Sequence, residues 1–283
     1  MAAVQHSTLK VGPVTVFYRE AGLDGNPVLW LLHGFANSSH YFRHLMPLLA
    51  SRFHLIAPDL PLFGFTKVDG ESYRYTFAQL TETTQAFVDA LRLGRFAMYV
   101  FDYGAPIGFN LAVADPSRIT AIVSQNGNAY EEGLGEGPWA PLRAYWKQPS
   151  AAIREPAQTT YVARWCLRGV LPGSSRCLQD RTRSLLARCC TPRTTGHDGP
   201  PSRSQARLQG QPRTLSFIST VPPYASALLL AIWGKNDSFF VPPGAEAFQR
   251  DVPKAVVKFL DAGHFALETN LEDIASAILE MPM

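Results

Sequence analysis

Tyr99-Val100-Phe101-Asp102-Tyr103-Gly104-Ala105-Pro106-Ile107-Gly108 decides the fold of this 283-residue chain. An apolar, β-rich run, Phe96–Phe101, ends on one acid, and small residues stand at the second and third positions beyond it. That spacing fits a strand-to-helix elbow tight enough to lift the Asp102 side chain above a sheet.

On either side of the elbow the chain repeats strand, loop and helix. Val28–Leu32, Ile119–Gln125 and residues 14–19, 54–57, 227–233 and 255–260 read as strands. Apolar runs without polar alternation suit strands buried on both faces of a parallel sheet. Residues 41–50, 77–91, 105–114, 243–249 and 270–279 read as helices between them. The alternation implies an α/β fold, a mostly parallel, doubly wound sheet with right-handed crossovers. Residues 1–127 and 227–283 are expected to form the core. Residues 128–226 interrupt it and are expected to cap the strands' carboxyl ends, where open α/β sheets bind ligands.

Two more segments have the character of the elbow. Leu31-Leu32-His33-Gly34-Phe35 leaves a buried strand and runs into Asn37-Ser38-Ser39-His40-Tyr41-Phe42-Arg43. A glycine just past a strand lets the chain turn sharply, so that the next backbone N–H points into a site. Leu260-Asp261-Ala262-Gly263-His264-Phe265 places a histidine in a glycine turn after the last strand, and Trp233-Gly234-Lys235-Asn236-Asp237 follows the strand before it. The chain order of candidate catalytic residues is Asp102, Asp237, His264.

These segments resemble the α/β-hydrolase family in its branch with an aspartate nucleophile, the haloalkane dehalogenases and epoxide hydrolases. The resemblance covers residues 8–132 and 228–279. It includes Ala57-Pro58-Asp59-Leu60-Pro61 leading to Phe63-Gly64-Phe65, and Asp115-Pro116-Ser117-Arg118. It implies the α/β-hydrolase fold with an inserted cap, and a hydrolase of small molecules that uses no cofactor and no metal. Asp102 would attack an sp³ carbon and form an alkyl-enzyme ester, needing no base because an ordinary aspartate is ionised at neutral pH. His264, oriented by Asp237, would activate the water that hydrolyses the ester. The backbone N–H groups of Phe35 and Tyr103 would stabilise the oxyanion. Attack on an ordinary carboxylic ester would give a strained anhydride, which argues against lipase or esterase chemistry. Some dehalogenases carry the acid after the earlier strand, where Glu131 and Glu132 follow Asn126-Gly127-Asn128-Ala129-Tyr130. Both placements are open at this point.

Epoxides are slightly favoured over haloalkanes as substrates. Tyr103 stands beside Asp102 where dehalogenases carry an indole, Phe35 follows His33-Gly34, and the donor Asn37 is displaced along the loop. Epoxide hydrolases protonate the opening oxygen with cap tyrosines, for which Tyr130, Tyr145, Tyr161 and Tyr224 are available. His33 reads as a brace for its loop. The alternative reading is a catalytically silent, ligand-binding relative with a defective cap.

Composition narrows the remaining classes. At 46% hydrophobic and 17% charged residues, the chain has material for a sizeable core and is not a disordered sequence. No apolar run approaches the ~20 residues of a membrane-spanning helix, and residues 1–10 lack a secretory apolar stretch, so a cytoplasmic protein without a membrane partner is expected. Residues 164–225 hold ten Arg, no Lys, only Asp180 and Asp198 as acids, and all four cysteines, Cys166, Cys177, Cys189 and Cys190. Aromatic interleaving is missing there, which favours an irregular insert over a nucleic-acid surface. The cysteines form no C-x-x-C pair, so no zinc site is expected. Residues 169–226 show little apolar periodicity of either kind. A compensated reading-frame shift and the divergence of a tolerant cap both account for this, and the first implies poor packing and weak activity.

Overall fold

A computed structural model describes residues 3–35, 37–70, 72–148 and 228–283. These residues build one nine-stranded sheet. In chain order the strands are β1 (Gln5–Val11), β2 (Val14–Ala21), β3 (Val28–Leu32), β4 (His54–Pro58), β5 (Lys67–Val68), β6 (Phe96–Phe101), β7 (Ile119–Gln125), β8 (Leu228–Gly234) and β9 (Val256–Leu260). Their order across the sheet is β1-β2-β4-β3-β6-β7-β8-β9, with β5 paired to β2. From β4 to β9 every neighbour is parallel, and β2 joins β1, β4 and β5 antiparallel.

The apolar runs explain the centre. All six residues of β6 and the last four of β3 are buried, as a strand covered on both faces requires. Trp30 of β3 packs against Phe87 and Phe96 at ring distances of 5.5 and 6.3 Å. Helices α1 (Leu45–Leu49), α2 (Phe77–Ala90) and α3 (Gly104–Ala114) connect the first strands, and α2 packs on α3. The Thr76 side chain accepts from the Gln79 N–H at 3.2 Å and so caps the start of α2.

Two expectations are refined and two strands are added. Residues 41–50 are a 3₁₀ turn, Ser39–Phe42, followed by α1, because Pro47 has no N–H to give and fits only a first helical turn. Residues 243–249 are helical as expected but divide into two one-turn helices, Pro243–Glu246 and Phe248–Asp251. Strands β1 and β5 were not read from the sequence. Every residue of β1 is exposed or half-buried, so it lacks the apolar face that marks the others.

Between β7 and β8 the chain forms a turn, Glu131–Gly133, and helix α4 (Glu136–Lys147). Residues 149–227 lie outside the described residues, and with them Tyr161, Tyr224, the four cysteines and the segment 169–226. Among the described residues no helix is long and apolar enough to cross a membrane.

Candidate active site

Asp102 sits between β6 and α3 at φ +47°, in the left-handed region that costs a non-glycine residue about 1–3 kcal/mol. That turn reverses the chain from strand to helix and puts the carboxylate at the carboxyl edge of the central strands. The amino end of α3 adjoins it, where the helix dipole favours negative charge. Opposite lies the loop after β3. A Cβ on Gly34 would stand 2.4 Å from the Asp102 Cβ, so glycine alone allows this approach. The approach brings the Phe35 N–H to Asp102 Oδ1 at 2.5 Å.

The candidate base and its candidate acid follow the last two parallel strands. His264 follows β9, and its Nδ1 lies 2.7 Å from Asp237 Oδ2 in the loop after β8. Gly234 lets these two loops close, because a Cβ there would meet the Gly263 carbonyl oxygen at 2.1 Å. The Asp237 carboxylate accepts on Oδ1 from the Phe239 and Phe240 N–H groups, at 2.8 and 3.2 Å. His264 Nε2 faces Asp102 Oδ2 at 3.7 Å, beyond hydrogen-bond length. All three side chains are buried.

Burial raises the Asp102 pKa, against the charge of His264 and the N–H groups of Phe35 and Tyr103, which favour the carboxylate. For His264 burial is the largest influence and works downward. The charge of Asp237, its hydrogen bond and the charge of Asp102 together outweigh it, so the net shift is upward.

Glu131 and Glu132, the alternative acids, face solvent. Glu131 lies 3.4 Å from Arg143 and Glu132 lies 2.5 Å from Arg250, and neither is the partner of the histidine. The carboxylate on His264 Nδ1 belongs to Asp237. The Tyr130 hydroxyl donates to Asp251 at 2.8 Å, and burial and that carboxylate hold its pKa far above the ordinary phenol value. Tyr145 lies in α4. Asn37 is fully buried, and its Nδ2 finds no hydrogen-bond partner among the described residues.

His33 braces the loop as its sequence position suggests. Its Nε2 accepts the Leu60 N–H at 2.9 Å, so the proton is on Nδ1, which donates to the Gly34 carbonyl at 2.8 Å. Burial lowers its pKa, in keeping with a neutral ring. A second brace was missed in the sequence. Asp59, fully buried, accepts from the Ser39 N–H at 2.7 Å and from the Phe65 N–H at 2.8 Å, with Arg19 at 3.8 Å. A lone Asp after an apolar strand looks like a turn residue, and only the packing of β2 against β4 supplies its arginine.

Away from this edge, Glu20, Asp24 and His54 bring three ligand atoms within 4.8 Å of one another at the amino end of β4. There His54 Nε2 pairs with Glu20 Oε1 at 2.6 Å.

A family model described as alpha/beta hydrolase fold matches residues 27–158. An uncharacterized hydrolase of Saccharomyces cerevisiae is 41% identical over 294 residues, covering 95% of this chain and 93% of its own. A haloalkane dehalogenase of Psychrobacter cryohalolentis is 32% identical over 126 residues, 43% of this chain and 41% of its own. The crystal structure of haloalkane dehalogenase DbeA from Bradyrhizobium elkani superposes with a TM-score of 0.74 at 20% identity, over 98% of this chain and 96% of that one. The chain belongs to the alpha/beta hydrolase family, with an uncharacterized hydrolase and haloalkane dehalogenases among its relatives.

Proposed function

We propose that this hydrolase cleaves a carbon–halogen or epoxide carbon–oxygen bond of a small molecule through a covalent ester on Asp102. The observation that carries the reading is the division of labour between the two oxygens of Asp102. Oδ1 accepts the Phe35 N–H, whereas Oδ2 faces His264 Nε2.

Oδ2 is therefore the attacking atom. It displaces halide, or opens an epoxide to an alkoxide that takes up a proton, and leaves an alkyl ester whose carbonyl oxygen is Oδ1. His264 Nε2 then accepts a proton from water as that water adds to Asp102 Cγ. Negative charge develops on Oδ1, where the N–H groups of Phe35 and Tyr103 stabilise it. Collapse breaks the Cγ–Oδ2 bond, and the departing oxygen takes the proton held on His264 and leaves as the alcohol. The acid left on Asp102, which now contains the water oxygen, loses its proton to solvent to restore the carboxylate.

The choice between substrates rests on the relatives and on the residues around Asp102. The partial match to haloalkane dehalogenases favours a halide leaving group. Tyr103 and the displaced Asn37, in place of the indole and adjacent amide of those enzymes, favour an epoxide. Tyr130 is ill suited to protonate an epoxide oxygen, because its hydroxyl is committed to Asp251. Tyr145, Tyr161 and Tyr224 remain the tyrosine candidates, within residues 128–226 acting as a cap.

One turnover in ¹⁸O-labelled water tests the mechanism. Label should enter the Asp102 side chain, read by peptide mass spectrometry, while the first product carries unlabelled oxygen. Label in the product of that first turnover, with none on Asp102, would make water the direct nucleophile.

The pH profile follows from the raised His264 pKa. An imidazole base must be neutral, so turnover should fall with decreasing pH through a pKa above the ordinary value of about 6.5. Hydrolysis of the Asp102 ester that showed no acid limb in a single turnover would contradict the role.

A further inference from the structure

Strand β7 ends on Gln125 and, one residue on, Asn126, both fully buried. Two amides at the end of an apolar strand are costly to bury unless their donors and acceptors are matched. Here they are. Gln125 Oε1 accepts from the Tyr41 and Tyr99 hydroxyls at 2.9 and 3.1 Å. Its Nε2 donates to Asn126 Oδ1 at 2.7 Å and to the main-chain carbonyl of His264 at 3.1 Å. Asn126 Oδ1 also accepts the Gly234 N–H at 3.0 Å, and its Nδ2 donates to Asp237 Oδ2 at 2.7 Å. That oxygen is the one held by His264 Nδ1. A flipped Asn126 amide would turn its oxygen toward the Asp237 carboxylate, so the orientation is fixed by charge.

Asn126 lies at φ +45°, a conformation asparagine tolerates better than most residues. The bend carries its side chain from β7 toward the end of β8. Backbone N–H groups hold Asp237 Oδ1, but on Oδ2 the partners of the carboxylate are His264 and Asn126.

We propose that Gln125 and Asn126 are positioning residues, a buried amide pair that holds the Asp237–His264 dyad in its working geometry. Asn126 fixes the rotation of the Asp237 carboxylate, and Gln125 ties down the main chain of His264. The inference rests on the base role of His264 proposed above.

Asn126→Gly removes the amide and keeps the backbone conformation accessible, and Gln125→Met removes the other amide at similar length. Asn128→Ala is the control, since Asn128 Nδ2 donates to the Tyr130 carbonyl in the same loop and not to the dyad. The first readout is the titration of His264, followed by NMR in the substrate-free protein. Once Asp237 is less firmly held, burial should win and the His264 pKa should fall by about one unit in Asn126→Gly. Gln125→Met should shift it in the same direction, and Asn128→Ala should leave it in place. The second readout separates ester formation from ester hydrolysis in a single turnover. Hydrolysis alone should slow in Asn126→Gly, by about 10²-fold.

An unchanged His264 titration in folded Asn126→Gly and Gln125→Met overturns the proposal, whatever their activity. Equal slowing of both half-reactions also overturns it, because a merely structural loss lowers the amount of working enzyme for each. If Asn126→Gly does not fold, Asn126→Ser is judged by the same titration. His264→Gln serves as a reference for the half-reactions: if it does not slow ester hydrolysis alone, the base reading is removed, while the titration still decides whether the amides position the dyad.

Discussion

Asp102→Ala should abolish turnover while the protein stays folded. Removing a covalent nucleophile costs roughly 10⁴–10⁶-fold in rate, because the neighbouring base and oxyanion donors have no group left to act through. The fold should survive because Asp102 stands at the tip of the elbow, outside the packing of β6, and its burial as a charged group is itself unfavourable. The loss on the other side is the acceptor for the Phe35 N–H, about 1–3 kcal/mol for a buried donor left unmatched. Circular dichroism and a thermal melt would check the fold, and steady-state kinetics with an epoxide and a haloalkane would check the activity. Retained turnover in a folded variant would move the nucleophile elsewhere.

His264→Gln should stop the reaction halfway. Glutamine cannot accept the proton from water, yet Asp102 needs no base for its own attack. The ester should therefore accumulate, and intact-protein mass spectrometry should detect it, with peptide mapping placing it on Asp102. The mass separates the two chemistries. An epoxide opens without losing atoms, so its adduct adds the whole substrate mass, whereas a haloalkane leaves an adduct lighter by one hydrogen halide. The loss of steady-state rate should be of the same order as for Asp102→Ala. Substrates that turn over on the native protein and leave no adduct on this variant would exclude His264 as the hydrolytic base.

Much of this arrangement is local and so was legible. A buried strand followed by small residues forces a tight turn, and three such turns place Asp102, Asp237 and His264 at one edge once the strands are parallel. The parallel order itself follows from apolar runs alternating with helices. The edge strands β1 and β5 escaped because their partners define them. Exposed or half-buried throughout, β1 is held by pairing with β2, and the two residues of β5 form a strand only where β2 offers its edge.

By itself, then, the sequence determined the parallel part of the sheet, the elbow and the chain order of the three catalytic candidates. Which carboxylate meets His264, and the groups that hold that carboxylate, were decided by the tertiary structure. In the sequence Asp237 was the favoured acid and the pair Glu131–Glu132 its alternative, each a carboxylate after a strand. The turn after β7 sends the glutamates out to Arg143 and Arg250, and the contact of the β8 and β9 ends brings Asp237 to His264. Gln125 and Asn126 carried one faint signal, two amides closing an apolar strand, but Asn126 meets Asp237 across 111 residues of chain. A spacing that long carries no local preference. It becomes a contact only because β7 and β8 pair side by side, and the cost of burying unmatched amides and carboxylates then leaves few ways to arrange them.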